Sequence, residues 1–283
     1  MAGRSPKVRR RRLGLELRQL RENASLTIEQ VATRLEVSDS KVSRIENGQV
    51  SATPRDVRDM AALYGVSGQR MENLMQLARE TREKPWWSEY SDLGLSYVEY
   101  EAEASTILMF SPMILPGLFQ TPDYARAIIR GIRYDLPSER VERRVEFRMK
   151  RQAHLAEATP PPQLWAVIDE AILHRMIGDP MIMHHQLKSL VETARLPYVT
   201  LQLLPFTGGA HAGLDGPFNI IRFSEPTDRD IIYFEHTDSE HHLETPDAIS
   251  LYVSLFDHIR AAALKPDDSL ELLSRRADEL GGQ

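Results

Sequence analysis

Four apolar stripes at helical spacing fill the first eighty residues, and they constrain the fold there more than any other feature. Leu13, Leu17 and Leu20 form the first. Ile28, Val31, Ala32 and Leu35 form the second, Val57, Met60, Ala61 and Tyr64 the third, and Met71, Leu74, Met75 and Ala78 the fourth. Steps of three and four place each set on one helix face, so each helix buries one side. Ser25 or Thr27 caps the second stripe, and Thr53 followed by Pro54 and Asp56 opens the third. Gly48 and Gly65 sit where helices stop. Between the second and third stripes lies "VSDSKVSRIENG", Val37 to Gly48, with Ser38 as its cap and Val42 and Ile45 turned inward. Residues 13–84 therefore predict an all-α domain of five short helices.

The outer face of the Ser38–Asn47 helix presents Ser40, Ser43, Arg44 and Asn47, with Asp39 in the first turn and Lys41 on the flank. Short polar groups around one bidentate donor suit a major groove, where arginine matches the paired acceptors of guanine and an acid accepts from cytosine. A merely solvated face is the alternative. Five short helices in this order, with a tight connection from Leu35 to Ser38, favour the groove.

An anionic partner sits uneasily with a chain of net charge −6, until the charge is divided. Residues 1–84 hold 17 Lys+Arg against 11 Asp+Glu, and residues 85–283 hold 18 against 30. Residues 1–12, "MAGRSPKVRRRR", supply six basic side chains and no acid. A basic arm precedes an acidic larger domain. Arg9, Arg10, Arg11 and Arg12 fall at the start of the first helix, where the macrodipole disfavours cations. Phosphate or minor-groove contact is the expected reason for them.

The segment "TIEQVATRLEVSDSKVSRIENG" resembles the helix-turn-helix of XRE (Cro/repressor-like) transcription regulators, with Thr27–Leu35 and Ser38–Asn47 as the two helices of the motif. The resemblance covers Leu13 to Ala78. It implies that Asp39, Ser40 and Arg44 reach base edges, and that Gln30, Lys41 and Ser43, with Asn47, serve phosphates and groove walls. At the turn, where such motifs usually carry glycine, this chain has Glu36. A positive φ there costs on the order of 1 kcal/mol.

"REKPWWSEYSD" ends the helical block, with Pro85 stopping a helix and Trp86–Trp87 docking the linker onto the second domain. Beyond it, "ASTILMFSPMI", "LWAVIDE", "PYVTLQLLP", "GPFNIIRF" and "DIIYFEH" read as strands. Helices are expected at 122–131, 138–156, 171–177, 180–194 and 246–263. That pattern predicts an α+β domain over residues 85–264 with a largely antiparallel sheet. Residues 265–283 predict a helix fraying into a tail. "PGLFQTPDYARAI", "LWAVIDEAILHR", "LPYVTLQLLPF" and "GAHAGLDGPF" resemble the C-terminal domain of unknown function in WhiJ-like and antitoxin-like regulators of actinobacteria. This resemblance implies a transcription regulator often encoded beside a small partner protein.

Chemistry beyond DNA binding finds little support. The stretch Glu235, His236, Asp238, Glu240, His241, His242 and Glu244 has metal-binding residue types, but its spacing matches no dedicated motif, and exposed loop residues are the expectation. Asp169 and Glu170 read as a helix cap rather than a catalytic pair. A catalytic set has to assemble from dispersed residues such as Asp169, His211 and Asp215. The helix "SERVERRVEFRMKRQ" interleaves Arg143, Arg144, Arg148, Lys150 and Arg151 with Glu142 and Glu146 as a self-neutralising surface. Absent cysteine and any apolar run of membrane-spanning length, the expectation is a cytoplasmic, non-enzymatic regulator with no metal or cofactor. Its expected partners are a pseudo-palindromic DNA operator, a second copy of the chain and a small protein. Sequestering that protein, as an antitoxin does, is the second expectation.

Overall fold

The computed structural model describes residues 5–94, 97–225, 228–235 and 240–282. Its N-terminal region consists of α1 (Pro6–Asn23), α2 (Ile28–Leu35), α3 (Asp39–Glu46), α4 (Pro54–Leu63) and α5 (Gly68–Glu80). The apolar stripes meet in one core, where Leu17, Val31, Val57, Ala61 and Ala78 are fully buried. The caps follow from the sequence: the Ser38 hydroxyl accepts from the Lys41 amide at 3.2 Å, and Thr27–Gln30 and Thr53–Asp56 form reciprocal capping boxes. Where the basic residues were expected as an arm, α1 already begins at Pro6, capped by Ser5. Arg9 to Arg12 are helical.

A 3-10 segment at Trp86–Leu93 then leads into the α+β region. Trp86 stacks on His154 with ring centroids 4.4 Å apart, and Trp87 is buried, so the tryptophan pair docks the linker as its apolar character requires. There follow α6 (Tyr97–Glu101), β1 (Ala104–Ser111), α7 (Pro122–Ile132), α8 (Ser138–Ala156), β2 (Gln163–Asp169), α9 (Ala171–His174), α10 (Pro180–Thr193), β3 (Val199–Leu204), β4 (Phe218–Phe223), β5 (Ile231–Glu235), β6 (Glu240–Leu243), α11 (Pro246–Ala262) and α12 (Pro266–Gly281).

The six strands lie in the order β3-β2-β1-β4-β5-β6. β1 pairs with β2, and β2 with β3, in parallel; β1–β4, β4–β5 and β5–β6 are antiparallel. The sheet is therefore mixed, with three of its five strand pairings antiparallel, as expected, and two parallel. The reason is connectivity: helical crossovers follow β1 and β2 and give the chain room to return in parallel, whereas the short connections after β4 and β5 do not.

Both faces of the sheet are covered from β3 to β5, which explains why β1 to β5 are rich in buried apolar residues. Ile107 and Met109 of β1, Ala166 and Ile168 of β2, and Leu201 and Leu203 of β3 share a core with Leu187 and Leu190 of α10 and Leu273 and Ala277 of α12. The alternate residues Leu108, Phe110 and Val167 point the other way, against Phe256 and Ile259 of α11. The C-terminal helix is thus not a fraying tail. Leu273 and Ala277 are fully buried, and Lys188 binds Asp278 at 2.6 Å. Helix α8 keeps one of the expected pairs along its own face, Lys150 with Glu146 at 3.5 Å, while several of its other charges reach other elements. Glu142 accepts from Arg126 at 2.7 Å, Arg143 reaches Asp92 at 2.9 Å, and Arg148 donates to Gln120, with burial pushing its guanidinium down to about 10.

The N-terminal helix continues onto this sheet. Val8 of α1 enters a cluster with Tyr97 and Tyr100 of α6, Ile221 of β4, and Ile231 and Tyr233 of β5. Among the described residues, no helix is long and apolar enough to cross a membrane.

Candidate nucleic-acid interface

Helix α3 has two faces of opposite character. Inward, Val42 and Ile45 are at most 3% exposed. Outward, Asp39, Ser40, Lys41, Arg44 and Asn47 are exposed, and Ser43 is half-buried. Asp39, Ser40 and Arg44 make no side-chain hydrogen bond or ion pair among the described residues. Their polar atoms are available to an outside partner. Lys41, by contrast, is tied to Asp56 of α4 at 2.6 Å, and the Asn47 amide donates to the Ser43 hydroxyl at 3.3 Å. The Gln30 carbonyl oxygen is spent on the Thr27 amide at 2.9 Å, and the residue is exposed, so its NH₂ group remains as a donor.

The turn before α3 takes the strained form its sequence implies. Glu36 lies at φ 55°, ψ 41°, the left-handed region that glycine occupies without cost. It closes α2 with its amide directed at the Ala32 and Thr33 carbonyls.

A buried ion pair, not anticipated from sequence, fixes α3 to α1. The Arg21 guanidinium grips Glu46 with two bonds, Nε to Oε1 at 2.7 Å and one terminal nitrogen to Oε2 at 2.9 Å, and its other terminal nitrogen donates to the Leu26 carbonyl at 2.8 Å. Glu46 is 3% exposed. The Arg21 proton is held more tightly than usual by its bond to Glu46, while burial, and then the Glu46 charge, push the neighbouring Tyr64 hydroxyl up. One signal for the pair was present: position 46 lies one turn beyond Val42, so a glutamate there had to face inward. Gly14 is a second silent feature. A Cβ on it would stand 2.6 Å from the carbonyl oxygens of both Ile45 and Glu46, so only glycine lets α1 cross the end of α3 this closely.

The arginines of the supposed arm are placed differently from the sequence expectation. Arg9 is 8% exposed and is held by Glu80 and by Glu103, the latter at 2.8 Å. Arg11 pairs with Glu244 at 2.8 Å. Arg12 donates to Asp228 at 2.6 and 3.1 Å, and Arg10 reaches the Ser51 hydroxyl at 3.5 Å. Arg9, Arg11 and Arg12, expected on phosphates, have carboxylates of the same chain as their partners in this structure. The counter-charge for the basic segment is the acidic α+β region itself. Sequence alone could not show this, since the carboxylates are up to 233 positions away in residue number.

Elsewhere, Asp169 accepts from the Ala171 amide at 2.8 Å as a cap, and His211 stands 3.8 Å from it; Glu170 accepts from the Phe206 amide at 2.8 Å. His241 and His242 are not loop residues but lie on β6, opposite Phe234 and Tyr233. His236 and Asp238 lie outside the described residues. Among the described residues, no three His, Asp or Glu side chains are grouped to hold a metal ion.

Comparison with known families agrees with this division. Residues 12–74 match a helix-turn-helix domain, and residues 95–275 match the domain of unknown function DUF5753. The curated proteins and the solved structures contain no match to the chain.

Proposed function

The chain belongs to the DUF5753 family, with a helix-turn-helix domain placed before that domain, and we propose that it is a sequence-specific transcription regulator of the XRE (Cro/repressor-like) kind. The C-terminal half, WhiJ-like in its sequence, receives a signal and passes it to the reading helix in the cytoplasm. The observation that carries this reading is the asymmetry of α3: its inner face is anchored by a buried bidentate ion pair, and its outer face keeps Asp39, Ser40 and Arg44 exposed and unpartnered among the described residues. A rigid backing with free base-matching groups is what direct readout requires. One such helix reads only a few base pairs, so useful specificity calls for a homodimer on a pseudo-palindromic operator with half-sites about one helical turn apart.

Selection of binding sites from random duplexes, followed by titration of the selected operator, tests the proposal. Arg44→Ala is expected to relax base preference at one position of each half-site, at a cost of roughly 1–3 kcal/mol. Equal losses on operator and random DNA would reduce Arg44 to a phosphate contact. Failure to enrich any sequence would overturn the proposal.

A further inference from the structure

Where α1 meets the α+β region, the seam holds an open cleft of about 470 Å³, a volume typical of small-molecule sites. Its walls come from both regions of the molecule and from the linker between them: Arg9 of α1, Trp86 of the linker, Glu101 at the end of α6, Glu103 just after it, and Arg151 and His154 of α8.

The chemistry of these walls is one-sided. Both guanidiniums are already engaged, Arg9 by Glu80 and Glu103, and Arg151 by Oε1 of Glu101 at 2.7 Å. The other oxygen of Glu101, Oε2, is buried and has no hydrogen-bond partner among the described residues. A buried acceptor without a donor is costly, and more so when it carries charge. At the rim, Glu157 adds an exposed carboxylate. The unmet demand is thus for a donor, and for positive charge. Beside it, Trp86 and His154 line the cavity and stack on each other, an aromatic lining that favours apolar bodies and cations alike.

We propose that this cavity binds a small organic cation, an amine on a flat apolar body, with the ammonium paired to Glu101 and the body against Trp86. The position gives such a ligand a route to the DNA-reading helix. Arg9 shares Glu103 with the cavity wall, and on the same helix Gly14 touches the carbonyls that end α3. An ammonium that draws Glu101 or Glu103 toward itself alters the setting of α1. Only this coupling rests on the regulator reading; the site itself stands on the cavity and its unpaired acceptor.

The test uses the full-length chain without DNA, with tryptamine as the probe and indole-3-propionate as its charge-reversed counterpart, read by titration calorimetry and by the change in tryptophan fluorescence. Tryptamine is expected to bind at least tenfold more tightly than the anion, and Glu101→Gln is expected to abolish that preference. Because Glu101→Gln leaves Arg151 without its carboxylate and can fail to fold, Ala158→Phe provides a second variant. Ala158 lines the cavity and is half-buried, so a phenyl group there fills the space and is expected to block tryptamine while the melting temperature stays near that of the wild type. Equal binding of the two indoles, full binding by either folded variant, or no binding of tryptamine, phenethylamine or spermidine at low-millimolar concentration would overturn the proposal. Since no DNA is present, such a failure is separate from a failure of operator recognition, which the Arg44→Ala titration reads by itself.

Discussion

The first turns of α1 and the outer face of α3 are both polar, both helical and both suited by composition to nucleic acid, yet the molecule treats them in opposite ways. Every cation from Arg9 to Arg12 has an acceptor within the chain, and three of them reach carboxylates of the acidic region. Arg44 has the lower local charge density and no partner among the described residues. The difference teaches that net charge is a poor guide to an interface, because a charge already paired in a semi-buried setting gains little by exchanging one anion for another. Availability is the better guide: a side chain positioned by its backbone but unpartnered among the described residues is free to meet an outside partner.

The largest effect is expected at the joint where α1 holds α3. Glu46→Ala leaves the Arg21 guanidinium buried without its carboxylate, and should cost about 3–5 kcal/mol in urea-denaturation experiments. A loss below about 1 kcal/mol, the scale of an exposed pair, would show that α3 does not depend on α1. Gly14→Ala tests the same joint by sterics. With carbonyl oxygens only 2.6 Å from the added Cβ, the helices must separate, and the expected cost is about 1–3 kcal/mol. Amide exchange should then quicken at the end of α3; unchanged exchange and stability would contradict the close crossing. Glu36→Gly has the smallest effect and the opposite sign. Relief of the left-handed conformation should stabilise the chain by up to about 1 kcal/mol, with operator contacts unaltered. Destabilisation would mean that the glutamate side chain makes the turn rather than tolerates it.

Much of this was legible in local sequence, and the illegible part has a common cause. The caps at Thr27, Ser38 and Thr53, the inward Val42 and Ile45, and the positive φ at Glu36 all depend on neighbours within four residues. Helix 138–156 and the strands at Leu164 and Phe218 follow from periodicity in the same way. The destinations of Arg9, Arg11 and Arg12 depend on carboxylates brought near by the tertiary fold, and no local pattern records them. β6 was missed for a related reason. Its residues Glu240–Leu243 are polar at three of four positions, and an edge strand with its side chains in water lacks the apolar alternation that marks a strand. The parallel half of the sheet was discernible in the alternation of strand and helix from Ala104 to Leu204, which the later run of strands outweighed. At the candidate site, the outer face of α3 could be read directly, whereas the Arg21–Glu46 anchor required recognising that an inward position held an acid.

On the proposed function α3 meets DNA, while the arginines of α1 hold the acidic region. The most direct test is the salt dependence of operator affinity for the wild-type chain and for an Arg11→Gln/Arg12→Gln variant whose fold has been checked by thermal melting. Each lost phosphate contact flattens the slope of log K against log[salt] by about 0.9. The slope is expected to stay unchanged, with the substitution felt instead as a looser seam, seen as faster proteolysis between α1 and the sheet. A slope flatter by roughly 2 would contradict this placement, since both guanidiniums would then have been on the DNA.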